Sequence, residues 1–270
     1  MRLSIYSAFV IIVLLISVKS KGEQVVAPCR LVDCHTAGVL ERGAYWIESR
    51  MYPSVDSTAA CGLILALTAG VTNRLNIGLS YGGDGLIGFG RHVRLNSLPG
   101  FLVKYRIYEE NYFIPGIAIG YDHQGYGGIA DSAAFGYKGY VDKSPGFFTA
   151  LSKNYLLFSV IQLGFHGGVD LSMEEVRKVR WPDAYVGFDM GFNEELSIFS
   201  EYDFGLNVRD PKAVTYGLPQ RGFLNAGIRW TFGENFSIEF DAKDILENRE
   251  RDGRRLGWRR ELKVGYVSHL

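Results

Sequence analysis

The chain has 270 residues and equal numbers of basic and acidic side chains, 29 Lys plus Arg against 29 Asp plus Glu. This balance excludes a global basic field that would attract nucleic acid and an acidic excess typical of disorder. The 33 glycines and the 14% of aromatic residues favour a protein with many strands, tight turns and an interface lined by rings.

The first 20 residues have the pattern of a secretory signal peptide. Arg2 supplies the basic start, Ala8–Ile16 an apolar run, and Ser20 a small residue at a cleavage edge. The exact cleavage site stays open. An uncleaved anchor is the alternative, but this apolar run is shorter than the roughly 20 residues that a spanning helix needs.

The next segment, residues 21–44, is predicted to be a periplasmic lead or a partial plug. In an exported chain its two cysteines, Cys29 and Cys34, are close enough in sequence for a local disulfide, which would leave Cys61 alone in an apolar strand. The spacing is not that of a zinc site and no paired histidines follow. We therefore expect no metal and no cofactor.

Residues 45–270 repeat one unit, a strand of about ten residues followed by a connection that is alternately short and long. Such an alternation is typical of outer-membrane barrels, whose periplasmic turns stay short while their outer loops grow. The short turns are predicted at Thr72–Arg74, Glu109–Asn111, Lys153–Tyr155, Asn193–Glu195 and Gly233–Asn235. About twelve strands are predicted, at Tyr45–Tyr52, Ala59–Ala69, Leu75–Gly82, Phe101–Tyr108, Phe113–Asp122, Phe147–Ser152, Phe158–Asp170, Ala184–Gly191, Leu196–Leu206, Phe223–Phe232, Phe236–Lys243 and Arg259–Ser268.

The strands alternate apolar and polar residues, as Trp230 and Phe232 alternate with Arg229 in one predicted hairpin. Alternation alone does not say which side faces outwards, because a soluble sandwich shows the same pattern. The signal peptide, the two loop lengths, the even strand count and a last strand that runs to the C-terminus favour a membrane barrel. The polar side then lines the lumen, with Glu48, Arg50, Lys104, Arg106, Asp122, His166, Asp170, Asp189, Glu201, Asp203, Arg229, Glu239, Asp241, Lys243, Glu261 and Lys263.

Three patterns that resemble catalytic motifs lack the context that the chemistry needs. Gly78–Gly82 matches GxSxG, but Ser80 continues a strand instead of forming a strand-to-helix elbow. Gly83–Gly88 matches GxGxxG without a helix to follow, and is predicted to lie in a loop. His166 and Asp170 share one strand face but lie about 13 Å apart, too far for a direct hydrogen bond. We therefore predict no catalytic residue and no enzyme.

A basic run at Arg249–Arg255 lies in the last long loop. It is interpreted as a solvated loop, and the alternative is a contact for lipopolysaccharide phosphates or an acidic polysaccharide. The expected partners are outer-membrane lipid and the barrel-insertion machinery, with lipopolysaccharide or exopolysaccharide as further candidates. We expect a monomer that binds no nucleic acid.

The segment Thr36–Tyr45, "TAGVLERGAY", resembles the entry to the first strand in YjbH-like outer-membrane barrels, which are linked to exopolysaccharide biosynthesis. Other phrases resemble bacterial barrel proteins of similar length; they lie at Tyr105–Tyr108, Tyr121–Gly127, Ser152–Tyr155, Glu201–Asp203 and Gly227–Phe232. The resemblance implies an outer-membrane location and work on envelope polysaccharide. It transfers no catalytic residue.

The sequence thus predicts an all-β protein, a transmembrane up-and-down antiparallel β-barrel of the bacterial outer membrane with a charged lumen. Its expected role is the passage or docking of a hydrophilic solute or an envelope polysaccharide. Two other classes stay open: an outer-membrane enzyme acting on lipid or glycan, and a soluble periplasmic β-barrel or sandwich that binds a ligand.

Overall fold

A computed structural model describes residues 28–54, 59–89, 93–132, 137–157, 161–174, 182–193, 195–206, 222–233, 235–248, 250–251, 254–255 and 257–270. The predicted signal peptide lies outside the described residues, as does part of the basic run in the last loop. Within the described part, the protein has no helix that is long and apolar enough to cross a membrane.

Twelve long strands form the body of the protein, and we number them in chain order. They are β1 (Ala44–Pro53), β2 (Ala60–Thr72), β3 (Leu75–Gly88), β4 (Gly100–Tyr108), β5 (Gly116–Asp122), β6 (Gly146–Leu157), β7 (Ile161–Ser172), β8 (Asp183–Gly191), β9 (Leu196–Asp203), β10 (Phe223–Phe232), β11 (Phe236–Lys243) and β12 (Arg259–His269). Shorter pairs lie in the connections, where Arg94–Leu95 pairs with β3, Ile129–Ser132 with Tyr137–Tyr140, and Glu250–Arg251 with Arg254–Arg255.

Every long strand pairs antiparallel with the strands before and after it in the chain, and the ring closes because β1 pairs with β12 from Ala44 opposite His269 to Met51 opposite Leu262. The protein is therefore a closed, twelve-stranded, up-and-down antiparallel β-barrel, as the sequence predicts. Closure leaves no sheet edge with unpaired backbone groups. Short connections gather at one end, which also holds the start of β1 and the end of β12, and long connections gather at the other. We call these the short-turn end and the long-loop end.

The two faces of the wall are inverted relative to a soluble protein. Leu79 and Phe240 point outwards with 62% and 60% of their surface exposed, whereas Arg50 and Glu239 point inwards and are 1% and 4% exposed. Since successive side chains of a strand point to opposite faces, the sequence alternation sorts apolar residues to the outside and charges to the inside. The polar face of the predicted strands therefore points into the lumen.

Aromatic rings collect at the short-turn end. Trp230 stacks on Phe232 at a centroid distance of 5.2 Å, and Phe232 meets Phe236 across the turn between β10 and β11. Phe113, in the turn between β4 and β5, is 86% exposed. Rings at strand ends suit the interface between a bilayer and water.

Several predicted strand boundaries are wrong. β3 continues to Gly88 through the stretch expected to be a loop, because Gly82 and Gly83 stay paired with Ile64 and Leu63 of β2. The turn predicted at Lys153–Tyr155 is instead part of β6, which runs to Leu157.

The polar residues Lys153 and Asn154 suggest a turn, but they belong to β6 and contact the connection between β4 and β5. Asn154 donates its side-chain amide to Glu110 at 2.6 Å, and its backbone N–H donates to the same carboxylate at 2.8 Å. A further boundary moves because the Asn111 side chain accepts the N–H groups of Phe113 and Ile114. Those residues therefore form a turn, and β5 starts at Gly116.

Leu65 and Val71 provide a test of the outward face, since both point outwards from β2 and are 55% and 48% exposed. We expect Leu65→Arg, near the middle of the strand, to lower the free energy of unfolding in lipid vesicles by about 2–4 kcal/mol. Val71→Arg, close to the strand end, should cost about 0–1 kcal/mol. Urea titration in vesicles measures both, and equal costs would contradict a depth-dependent lipid contact.

Candidate functional site: a barrel interior occupied by the N-terminal segment

Residues 28–43, which we call the N-terminal segment, precede β1. Most of the segment lies inside the barrel, whereas Glu41 and Arg42 are exposed at the short-turn end. Leu31, Val32, Cys34 and Thr36 are at most 1% exposed. Inward side chains of β1, β4, β6, β8, β9, β11 and β12 bond to this segment. Because these strands lie on different sides of a closed ring, the segment is enclosed by the wall.

The innermost part of the segment is a tight turn at Leu31–Cys34, closed by a 3.0 Å bond from the Leu31 N–H to the Cys34 carbonyl. The Glu201 carboxylate on β9 accepts the backbone N–H groups of Val32, Asp33 and Cys34 at 2.9–3.1 Å. Three consecutive amides that would otherwise be buried without partners are thus satisfied by one anion.

The opposite side of the same turn is held by cations. Arg50 and Lys243 contact the Asp33 carboxylate at 3.0 Å each, and the Val32 carbonyl accepts bonds of 2.7 Å from Arg50 and Lys263. Burial alone would raise the pKa of Asp33, but Lys243 and Arg50 outweigh burial and hold that pKa well below its ordinary value. Asp33 is therefore a buried anion that Lys243 and Arg50 stabilise.

The cations that hold the turn belong to a larger network on β1, β10, β11 and β12, in which every base meets at least one acid. Arg50 also contacts Glu261 at 2.8 Å, and Lys243 bonds the same carboxylate. The network is completed by Lys263 with Glu239 and Asp241, by Arg229 with Glu239, and by Arg30 of the segment with both oxygens of Glu48. We call this side of the lumen the charged wall.

His35 fixes the segment to β5, β6 and β8. Its Nε2 lies 3.1 Å from Oδ2 of Asp122, its ring stacks on Phe148 at 3.8 Å, and its carbonyl accepts the Tyr185 hydroxyl at 2.6 Å. Burial lowers the pKa of His35 to about 4, and the bond to Asp122 opposes this shift only in part. The ring is therefore neutral near pH 7.

A Ser–His–Asp cluster supports the segment further along. The Ser152 Oγ lies 2.8 Å from His166 Nδ1, His166 Nε2 lies 2.5 Å from Asp189 Oδ1, and Ser152 accepts the Ala37 N–H at 2.8 Å. In serine hydrolases Nε2 faces the serine and Nδ1 the acid, so the ring is reversed here. Since Ser152 and His166 are 2% and 5% exposed, the cluster serves as an anchor for Ala37.

The connection between β5 and β6 folds into the long-loop end and meets the segment. The Tyr126 hydroxyl accepts from Arg30 at 2.7 Å and donates to Asp122 at 2.8 Å. Lys143 bonds Asp170 and lies 3.0 Å from Asp203. His166 and Asp170 thus have different partners, Asp189 and Lys143, as expected from their separation along one strand face.

The residues predicted to line the lumen all lie on inward faces. Twelve are at most 6% exposed, and the side chains of Arg106, Asp170, Asp203 and Arg229 are 13–21% exposed. Sequence reasoning missed Arg30, Asp33, His35 and Ser152, together with Tyr126 and Lys143 in the connection between β5 and β6. The segment and the loop have no strand periodicity that would mark these side chains, although Ser152 shares the inward parity of β6.

No disulfide joins the first two cysteines in the structure. Arg30 pairs with His35 in a short antiparallel bridge, which places Cys29 opposite Thr36 and Leu31 opposite Cys34. The two thiols are thus offset along the bridge.

The other side of the lumen, on β2, β3 and β4, has mostly small or neutral inward residues, together with the cations Lys104 and Arg106 of β4. We call it the small-residue wall. A cavity separates it from the N-terminal segment. The cavity is lined by Cys29, Arg30, His35, Trp46, Glu48, Ala66, Thr68, Asn76, Gly78, Leu79, Ser80, Leu102, Lys104, Asp122, Gln124 and Tyr126.

No family model and no curated protein sequence matches this chain, so the resemblance to YjbH-like barrels has no support from these comparisons. Solved structures of similar shape include the KdgM porin, with 10% identity, a TM-score of 0.47, and 84% of this chain and 99% of that one covered. An outer membrane channel from Pseudomonas putida F1 has 12% identity, a TM-score of 0.45, and coverage of 88% and 100%. Omp33 of Acinetobacter baumannii has 7% identity, a TM-score of 0.45, and coverage of 84% and 97%. Likenesses this remote say nothing about a solute.

Glu201→Gln should loosen the turn of the N-terminal segment, because a neutral amide offers one acceptor oxygen where the carboxylate holds three N–H groups. Charge-assisted hydrogen bonds contribute about 1.5–3 kcal/mol, so we expect the amides of residues 32–34 to exchange with deuterium roughly 10–100 times faster. Mass spectrometry of the segment measures this. Glu109→Gln, in an exposed turn, is the matched control, and unchanged exchange in Glu201→Gln would contradict the assigned role.

Acid should undock the segment through His35. The folded-state pKa of about 4 lies below the ordinary value of about 6.5, so the undocked state binds more protons between these values and docking weakens as the pH falls. The loss reaches about 3 kcal/mol at pH 4. Asp122, Lys104 and Arg30 face the ring and stay in place in His35→Gln.

We expect amide exchange in the segment, corrected for intrinsic rates, to accelerate from pH 6.5 to pH 4 in the wild type. In His35→Gln the acceleration should be much smaller. The same acid response in both proteins would show that another group is responsible.

Proposed function

We propose that this protein is an outer-membrane channel for small hydrophilic solutes, narrowed by its own N-terminal segment. The observation that carries the proposal is the segment itself, bonded into the lumen of a closed barrel whose polar residues point inwards. A barrel that only anchors a protein in a membrane has no need of a polar segment bonded inside its lumen.

The outside of the barrel supports the membrane location. Apolar side chains such as Leu65, Leu79 and Phe240 are more than half exposed, and each would cost free energy in water. In a bilayer the same residues contact acyl chains, while closure of the ring pairs each long strand with a neighbour on both sides. By the rule for such barrels, the short-turn end faces the periplasm and the long-loop end faces outwards.

The inside supports a restricted passage. The charged wall and β9 bind the turn of the N-terminal segment, and a cavity remains between the segment and the small-residue wall. The small-residue wall presents Thr68, Asn76, Gly78 and Ser80 to the remaining space. A solute would move between this wall and the segment, and its size would be limited while the segment stays docked.

An enzyme is the second class left open by the sequence. The Ser152 cluster does not favour it, because Ser152 is 2% exposed, its hydroxyl is engaged by Ala37, and its histidine is reversed. The cavity along the small-residue wall is not lined by any of the three residues of the cluster.

Passage is tested by single-channel conductance in planar bilayers together with liposome swelling in neutral sugars. We expect a small conductance for the wild type and an increase of several-fold for Asp33→Asn, because breaking one partner of a buried ionic contact costs about 3–5 kcal/mol and frees the segment.

Glu109→Gln is the control that removes an acid without touching the segment, and heat-modifiable gel migration verifies that each variant is folded. A folded wild type and a folded Asp33→Asn that both pass no ions and no sugar would contradict the proposal.

A further inference from the structure

We propose that the cavity beside the small-residue wall is a binding site for a small hydroxycarboxylate, with Lys104 as its cation and Asn76 as the partner of the hydroxyl. The inference rests on the proposed function for the arrival of the solute in the lumen. The channel proposal names only small hydrophilic solutes, and this inference adds a chemical class of ligand for the cavity.

Lys104 differs from the other buried cations of the lumen. It is 1% exposed, and its Nζ donates to the Cys29 carbonyl at 2.8 Å. In the part of the chain that the structure describes, no carboxylate lies within ion-pair distance of it. Arg50, Lys243 and Lys263 each contact at least two carboxylates. A buried ammonium with no counter-ion in contact is costly, and two of its three N–H groups remain for an anion.

The acids that share the cavity are already committed to other donors. Both oxygens of Glu48 accept from Arg30 at 2.6–2.7 Å. Asp122 lies 3.1 Å from His35 and accepts the Tyr126 hydroxyl and the Gln124 N–H. Neither carboxylate reaches Lys104, so an external carboxylate can take that place.

Asn76 gives the second contact and narrows the ligand class. It stands directly opposite Lys104 in the pairing of β3 with β4, and side chains in such positions have Cβ atoms about 4.5–5.5 Å apart. Asn76 is 1% exposed, and its Oδ1 is buried without a hydrogen-bond partner. This oxygen needs a donor, which a carboxylate lacks and a neighbouring hydroxyl supplies.

The size of the cavity limits the rest of the ligand. About 40 Å³ is open to the centres of water-sized molecules, which is room for about three waters. Gly78 keeps this room free, since a Cβ there would lie 2.9 Å from the Thr68 hydroxyl and 3.2 Å from the Leu102 Cβ. A two-carbon or three-carbon hydroxy acid fits this description.

The test is a titration of the full folded chain in detergent with ¹³C-labelled glycolate, followed by NMR. Acetate is the probe that lacks the hydroxyl, and glycolamide is the probe that lacks the charge. We expect millimolar binding of glycolate and several-fold weaker binding of acetate. Glycolamide should bind at least about tenfold more weakly than glycolate, because it lacks the charged hydrogen bond to Lys104.

The variants separate the two contacts. Lys104→Gln should weaken glycolate about tenfold and remove its advantage over glycolamide, whereas Lys104→Arg should keep that advantage. Asn76→Ala leaves every charge in place and should remove only the advantage of glycolate over acetate. Arg106→Gln, on the same face of β4 but outside the cavity lining, should bind as the wild type does.

Glycolate binding that is undetectable in the wild type, matched by glycolamide, or unchanged in Lys104→Gln would overturn the inference. Amide exchange of the N-terminal segment shows whether a variant binds less glycolate only because the segment has undocked from the lumen. Binding in detergent requires no transport, so a channel that conducts without binding glycolate defeats this inference alone. A protein that binds glycolate but conducts nothing defeats the proposed function alone.

Discussion

The structure depends on the way the barrel wall satisfies one buried turn. Glu201 accepts three consecutive amides of Leu31–Cys34, and Arg50, Lys243 and Lys263 hold the Asp33 carboxylate and the Val32 carbonyl from the other side. Without these partners the turn would expose unpaired polar groups to a closed interior, at a cost of about 1–3 kcal/mol for each group. With them, the polar groups of the turn are paired inside the lumen.

The same interaction divides the interior into two sides. Ion pairs are dense on β1 and β10–β12, where replacing them by apolar residues would often be neutral for stability, so their main effect here is to fix where the segment lies. The side formed by β2–β4 is left with small residues, one unpaired amide oxygen at Asn76 and one ammonium without a contacting acid at Lys104. Because the N-terminal segment is held by the charged wall, a cavity remains beside the small-residue wall.

Strand alternation made most of the wall predictable. The hairpin Phe223–Lys243 matches its predicted bounds because every second residue is apolar and the turn is polar. The ends of β3 and β6 were missed, since glycines and Asn154 look like turn residues until their partners are known. The segment was out of reach for another reason, because Glu201 and Val32 are 169 positions apart. Lys104 and Arg106 were both predicted to line the lumen, yet only Lys104 lines the cavity, and Arg106 bonds the Asn73 carbonyl.

The central claim is that the docked N-terminal segment limits passage through the lumen. The Ala37 N–H lies 2.8 Å from the Ser152 hydroxyl, so Ala37→Cys with Ser152→Cys places two thiols beside this contact as a designed tether, with the native cysteines replaced by serine. The decisive measurement is the single-channel conductance of this tethered chain, carrying Asp33→Asn, before and after reduction. The account predicts a low conductance while the disulfide is intact and a several-fold rise when it is reduced. Equal conductance in the two states, with the disulfide verified by mass, would contradict it.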